Sequence, residues 1–230
     1  MNEVKIIGFD ADDTLWVNEP HFQNTEKRFC ELMAEYGTSE FISAEMFKTE
    51  MQNLAAYGFG AKAYILSLME TALRISGNRV SHAVMAEIIA LGKKLLDFPP
   101  EVIEGVEPVL KELGRRYSLV LITKGDLLDQ ERKVKRSGLG VHFSDIHILS
   151  DKNETAYKRI VEELNIRPHE FAMVGNSLKS DVLPALEAGC YGVYVPFYVT
   201  WQAERVDQQD IQHHRYRKIE KITELPDLLK

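Results

Sequence analysis

At 230 residues the chain has room for one large domain or for a domain carrying an insert. Its hydrophobic content of 45% and charged content of 27% are ordinary for a soluble globular protein and give no sign of a disordered or fibrous chain. The balance of 28 basic against 35 acidic residues leaves a net charge of −7, which argues against nucleic acid as a partner. An anionic substrate would meet a mildly repulsive overall field, so its attraction must come from local groups. With no signal-like segment and no apolar run near the length of a membrane span, a reducing cytoplasm and no membrane partner are expected. Cys30 and Cys190 have no nearby His or Cys in sequence and are expected to be buried small hydrophobes.

The first element is a short apolar run, Val4 to Phe9, broken only by Lys5 and Gly8. Such a run fits a strand buried on both faces, as in a parallel sheet. It ends in Asp10-Ala11-Asp12-Asp13-Thr14-Leu15. Unpaired carboxylates are too costly inside a buried strand, so these must lie where it leaves the sheet. In open α/β sheets that carboxyl end is where ligands bind. Three carboxylates so close repel one another, and a bound cation relieves the repulsion. Oxygen donors without Cys or His favour Mg²⁺ before Ca²⁺. The plainer alternative is a solvated acidic turn in which Asp13 or Thr14 caps a following helix.

From about His21 to Leu96 the chain reads as helical, with Phe22, Phe29, Leu32 and Met33 at helical spacing. Further helices are expected near 44–54, 61–75 and 81–96, with breaks at Gly37, Gly58-Phe59-Gly60 and Gly77-Asn78. Pro99 and Pro100 end this block. Beyond it helices and strands alternate: helix 106–116, strand 117–122, helix 127–138, strand 145–149, helix 154–164, strand 171–174, helix 178–188 and strand 191–195. The tail adds an edge strand over 218–222 and a helical turn over 224–229. This alternation predicts a Rossmann-like α/β core, a parallel sheet with helices on both faces. Right-handed crossovers then put every strand's carboxyl end on one edge. The first strand must join that sheet, so the division expected is a core of residues 1–16 and 100–230 with an all-helical insert at 17–99.

Three later stretches close or follow predicted strands. Thr123-Lys124-Gly125 places a hydroxyl and two backbone N–H groups where they could meet one oxyanion; the alternative is a plain turn. Lys152, just past the 145–149 strand, could neutralise a carboxylate and a phosphate together; the alternative is an exposed lysine at a helix start. Lys158 is a second, deeper candidate. Gly175-Asn176-Ser177 follows a strand and precedes Asp181, five residues after Asn176.

These four stretches, in this order, resemble the motifs of the haloacid dehalogenase superfamily in its phosphatase branch. Asp10-Ala11-Asp12-Asp13-Thr14-Leu15 is similar to its D-x-D-x-T-L signature, and Gly175 to Asp181 to its G-D-S-x-x-x-D motif. The resemblance implies Asp10 as nucleophile, Asp12 as general acid and base, and Thr123 and Lys152 as catalytic groups stabilising phosphate charge. It implies a phosphate site made by Ala11, Asp12, Thr123, Lys124, Gly125 and Lys152. It also implies Mg²⁺ held by Asp10, Asp12 through its carbonyl, Asn176 and Asp181. Two departures stand out: Asn153 follows Lys152 where the family often has Pro, and Asn176 replaces the first Asp of the last motif. An amide can ligate Mg²⁺ but brings no charge, so weaker metal affinity is expected.

The expected activity is Mg²⁺-dependent hydrolysis of a small phosphomonoester through an aspartyl-phosphate, in a monomer or dimer. The insert resembles the family's cap; Trp16, Asn18 and Glu19 stand at the passage, where they could touch the leaving group or serve only as hinge packing and solvation, and Tyr57-Gly58-Phe59-Gly60 is a loop facing the site or a plain helix–helix turn. A phosphomutase would share these residues. A dehalogenase of the same superfamily generally lacks an acid at the Asp12 position, and a phosphate-sensing module is favoured only by Asn176. A receiver-type signalling domain would carry its acceptor on a later strand. The basic run His213 to Lys218 reads as a solvated loop, and Trp201 and Glu204 carry no assigned role.

Overall fold

The computed structural model describes residues 1, 3–206 and 211–230. Strand β1 (Ile6–Phe9) is followed by a two-residue strand β2 (Trp16–Val17) and four helices. These are α1 (Glu19–Leu32), α2 (Ser39–Tyr57), α3 (Ala61–Ile75) and α4 (His82–Asp97). The short strand β3 (Glu101–Val102) precedes α5 (Val106–Leu113), β4 (Ser118–Lys124), α6 (Leu127–Ser137), β5 (Asp145–Leu149) and α7 (Glu154–Glu163). Then come β6 (Phe171–Gly175), α8 (Leu183–Glu187), β7 (Tyr191–Tyr194), β8 (Tyr216–Lys218) and α9 (Leu225–Leu228).

Six strands form one parallel sheet in the order β5-β4-β1-β6-β7-β8. The first strand therefore lies at its centre, with Gly8 opposite Val120 on one side and Met173 on the other. A Cβ at Gly8 would stand 2.5 Å from the Phe171 ring, so the close packing over β1 requires glycine there. Side-chain alternation divides the core in two. Ile7, Phe9, Leu121 and Val174 pack on one face with Val109, Leu110 and Leu113 of α5. Val120, Ile122, Phe171 and Met173 pack on the other with Tyr157 and Ile160 of α7. Helices on both faces explain why β1, β4 and β6 read as nearly continuous apolar runs.

Helices α1 to α4 share a separate apolar cluster built on Phe29, Met33, Ile42, Met46, Leu68 and Ile88. They leave the sheet and return to it through β2 and β3, which pair antiparallel with Trp16 opposite Val102. This ribbon is a correction to the sequence reading, which found no strand there; two residues are too few to show an alternation.

Other boundaries shift as well. Helix α2 runs over Ser39–Tyr57, with the Thr38 side chain capping it, well beyond the expected 44–54. The helix expected over 178–188 opens with a π-helical turn, Leu178–Val182, before α8. The edge strand is Tyr216–Lys218 rather than 218–222, because Ile219 and Ile222 turn into the core. It takes in the end of the basic run read as a solvated loop. Both cysteines are buried and unpaired. No helix among the described residues is long and apolar enough to cross a membrane.

Candidate active site

The loop after β1 is held by its own backbone. The Asp10 N–H donates to the Val174 carbonyl at 2.9 Å, and the Leu15 N–H to the Ala11 carbonyl at 2.8 Å. Asp13 sits at φ 62°, which turns its carboxylate back onto the start of α1. There it accepts the N–H groups of Asn18 (2.8 Å) and Glu19 (3.0 Å). Asp13 is thus the helix cap, and burial pushes its carboxyl up to about 7.

Asp10 is the meeting point. The Thr14 hydroxyl donates to Asp10 Oδ2 at 3.0 Å and accepts the Asn176 N–H at 3.0 Å, tying β1 to the end of β6. Lys152 Nζ donates to Asp10 Oδ1 and, at 2.8 Å, to Asp181 Oδ1. Asp181 Oδ2 accepts the Ser177 N–H at 2.9 Å. Asp10, Lys152 and Asp181 are all buried. Two carboxylates thus face one ammonium away from water. Burial, followed by the Asp181 charge, raises the Asp10 carboxyl to about 7 against the pull of Lys152. Burial opposes the charge on Lys152, but Asp10 and Asp181 outweigh it and hold its pKa above the ordinary lysine value.

Asp12 points the other way. Its carboxylate accepts the Trp16 indole N–H at 2.7 Å, Gln130 Nε2 at 3.1 Å and Lys133 Nζ at 3.1 Å. Lys133 also donates to Asn18 Oδ1 at 2.8 Å. Gln130 and Lys133 stand three apart on α6, so they share the face that looks onto the site. Gln130 Nε2 also donates to Thr123 Oγ1 at 2.6 Å, which leaves the threonine O–H free to donate.

Two parts of the expected phosphate site are arranged differently. The Gly125 N–H is spent on the Leu149 carbonyl at 3.1 Å, because β4 keeps pairing with β5 at its end, and is not offered to an anion. The Lys124 side chain reaches Ser180 Oγ at 2.8 Å, pairs with Glu204 and lies 4.1 Å from the centre of the Phe59 ring. Glu204 also accepts the hydroxyls of Ser177 and Ser180. Although burial opposes its charge, Lys124 and these hydroxyls hold its carboxyl below the ordinary range.

A cavity of about 370 Å³ separates these strand ends from the helices. Asp10, Asp12, Thr123, Lys124, Gly125, Lys152, Asn176 and Asp181 all line it, while Ala11 lies behind them, wholly buried in the core. Asn18, Glu19 and Gly58 to Gly60 line its far side. Trp16 does not reach it: the ring is buried in the core, where its role is to hold Asp12. Tyr57 is exposed, and Lys158 pairs with Glu154 on the surface. Gln130 and Lys133 went unread in the sequence, and Glu204 was given no role there. The one signal available was a pair of polar groups, Gln130 and Lys133, on the buried side of α6.

A family model described as haloacid dehalogenase-like hydrolase matches residues 4–189. The crystal structure of a haloacid dehalogenase-like hydrolase from Xanthomonas campestris is 32% identical with a TM-score of 0.89, over 99% of this chain and 91% of that one. Glyceraldehyde 3-phosphate phosphatase of Pyrococcus furiosus is 25% identical over 235 residues, 100% of this chain and 93% of that protein. N-acylneuraminate-9-phosphatase of Rattus norvegicus is 28% identical over 91 residues, 37% of each chain.

Proposed function

The chain belongs to the haloacid dehalogenase-like hydrolases, and from that membership we propose a phosphatase that hydrolyses a small phosphomonoester through an aspartyl-phosphate. The observation that carries the reading is the buried Asp10–Lys152–Asp181 chain at the floor of the cavity. Residues 17–99 act as a cap over a core of 1–16 and 100–230.

The residues fit a hard divalent cation. Asp10 and Asp181 outnumber their single lysine, and burial followed by the Asp181 charge raises the Asp10 carboxyl. Among the described residues no three His, Cys, Asp or Glu side chains converge as a metal cluster. The donor set therefore relies on the Asn176 amide oxygen and the Asp12 carbonyl beside Asp10 and Asp181, all oxygens suited to Mg²⁺. When bound, Mg²⁺ would neutralise charge on the phosphoryl oxygens and keep Asp10 ionised.

Asp10 attacks phosphorus, and the bond from phosphorus to the ester oxygen breaks. Asp12 gives its proton to the departing alkoxide. Lys152 and the Thr123 hydroxyl stabilise the phosphoryl oxygens, while Thr14 keeps Asp10 aimed. A water then attacks the aspartyl-phosphate, passing its proton to Asp12, and releases phosphate with the Asp10 carboxylate restored. Lys133 and Gln130 hold Asp12 in place throughout.

The test is phosphate release from p-nitrophenyl phosphate with and without Mg²⁺, beside Asp10→Asn. Mg²⁺-dependent release that the substitution abolishes is expected. Release that survives Asp10→Asn would overturn the covalent route.

A further inference from the structure

Asp181 is carried by the π-helical turn Leu178–Val182, in which the Ser177 carbonyl accepts the N–H of Asp181 at 3.0 Å and that of Val182 at 3.2 Å. Such turns are rare and frequent at functional sites, and an unfavourable local conformation persists only where its surroundings hold it. Here the hold comes from other elements. Tyr157 Oη, on α7, donates to the Ser180 carbonyl at 3.0 Å. Glu204, on the loop after β7, accepts the hydroxyls of Ser177 and, at 2.7 Å, of Ser180 on a single oxygen, Oε2. The Ser177 hydroxyl in turn accepts the Ser180 N–H at 3.0 Å.

Glu204 is itself firmly placed. It closes a short turn, Gln202–Glu204, whose Ala203 carbonyl accepts Lys179 Nζ at 2.8 Å, so the two turns are joined twice. Its other oxygen, Oε1, pairs with Lys124, which also donates to Ser180 Oγ at 2.8 Å. Trp201, just before the turn, meets Phe59 of the helical insert edge-on at 6.1 Å, and its indole donates to Glu50. The Glu204 side chain is only 11% exposed, and a carboxylate so far from water is held by its donors. From it a path of contacts reaches the nucleophile. Glu204 binds the Ser177 hydroxyl, the Ser177 N–H donates to Asp181 Oδ2, and Lys152 joins Asp181 Oδ1 to Asp10.

We propose that Glu204 is a positioning residue: by binding the two serine hydroxyls it holds the π-helical turn in the shape that aims Asp181 at Lys152, and with it the Lys152 bond to Asp10. The catalytic consequence rests on the phosphatase reading above; the clamp on the turn does not. Glu204 acts through Ser177 and Ser180, so its effect should vanish when they are gone.

Amide hydrogen exchange of the ligand-free protein tests the clamp. In Glu204→Ala the amides of the turn should exchange at least about tenfold faster than in wild type, while those of β1 keep their protection. Glu204→Gln, whose amide oxygen still accepts both hydroxyls, should restore most of the protection. Unchanged exchange in Glu204→Ala would overturn the proposal, whether or not any ester is hydrolysed. Kinetics on p-nitrophenyl phosphate test the consequence. Glu204→Ala should lose at least about tenfold in kcat, with KM within about twofold of wild type, because a displaced group costs rate more than binding. Ser177→Ala with Ser180→Ala should reproduce that loss, and adding Glu204→Ala to the pair should cost less than about twofold more. A second full loss in the triple variant, or an effect confined to KM, would also overturn it. A wild type that releases no phosphate counts against the phosphatase reading alone, and the exchange result still decides the clamp.

Discussion

Gly175 lacks a side chain for a reason that reaches into the chemistry. A Cβ there would stand 2.2 Å from Asp181 Oδ2 and 2.4 Å from its Cγ, so the carboxylate rests directly against the glycine backbone. That seat presents Asp181 to the Ser177 N–H and to Lys152 together. Gly175→Ala must push Asp181 away and loosen Lys152 from Asp10. The expected loss in kcat/KM on p-nitrophenyl phosphate is at least about tenfold, since small displacements of positioned groups are costly. Turnover equal to wild type would show that Asp181 can move without consequence. The residues that could be read from sequence share one property with Asp181: each lies within a short motif at a strand end. Those that could not be read lie outside any such motif, on the inward face of α6 or after β7. Lys133 is 121 residues from Asp12, Gln130 is 118 from it, and Glu204 is 80 from Lys124. No local pattern encodes such contacts. Gly125 failed in the opposite way, because its N–H looked free until the extra pairing between β4 and β5 used it.

At the scale of elements, the starts of β1 and β6 are joined by one buried carboxylate. Glu170 pairs with Lys5 at 2.7 Å and Arg167 at 3.0 Å, accepts the Arg167 N–H at 2.8 Å, and its own carbonyl takes the Lys5 N–H at 2.8 Å. The Arg167 and then the Lys5 side-chain hydrogen bonds hold the Glu170 carboxyl far below the ordinary glutamate range. A depressed acid adds stability that is fully present above its unfolded value and is lost as pH falls toward the folded one. Glu170→Gln should therefore melt below wild type at pH 7, and the gap should close progressively from about pH 4.5 downward. Thermal melts across that range check this, and a gap that stays constant would assign the loss to packing instead. The long elements were legible for a related reason. Helix α3 and strand β5 lie where periodicity puts them, because their own burial writes the pattern. The β2–β3 ribbon and the π-helical turn before α8 are set by tertiary pairing and by the seat of Asp181. Their few residues leave no period to detect.

At the scale of the molecule, two apolar cores meet across a charged cavity, and α2 carries Glu50 to that boundary without a full set of partners. Burial lifts the Glu50 carboxyl from 4.5 to about 7, so the folded state retains a proton that the unfolded state has released. The contribution of this one group to folding stability is fully present below about pH 4.5, falls as pH rises through about 7, and levels off above that. Allowing for partial exposure, the cost at pH 8 is on the order of 2 kcal/mol, or roughly 5 °C in Tm for a chain of this size. Glu50→Gln keeps an acceptor for the Trp201 indole and removes the titration. It should match wild type at pH 4.5 and melt roughly 5 °C higher at pH 8. Calorimetric melts of the ligand-free protein at the two pH values decide the matter. A variant that melts lower at pH 8 would mean that the carboxylate is already satisfied within the protein. A variant that melts higher would show that the incompletely partnered Glu50 carboxylate costs folding stability when ionised.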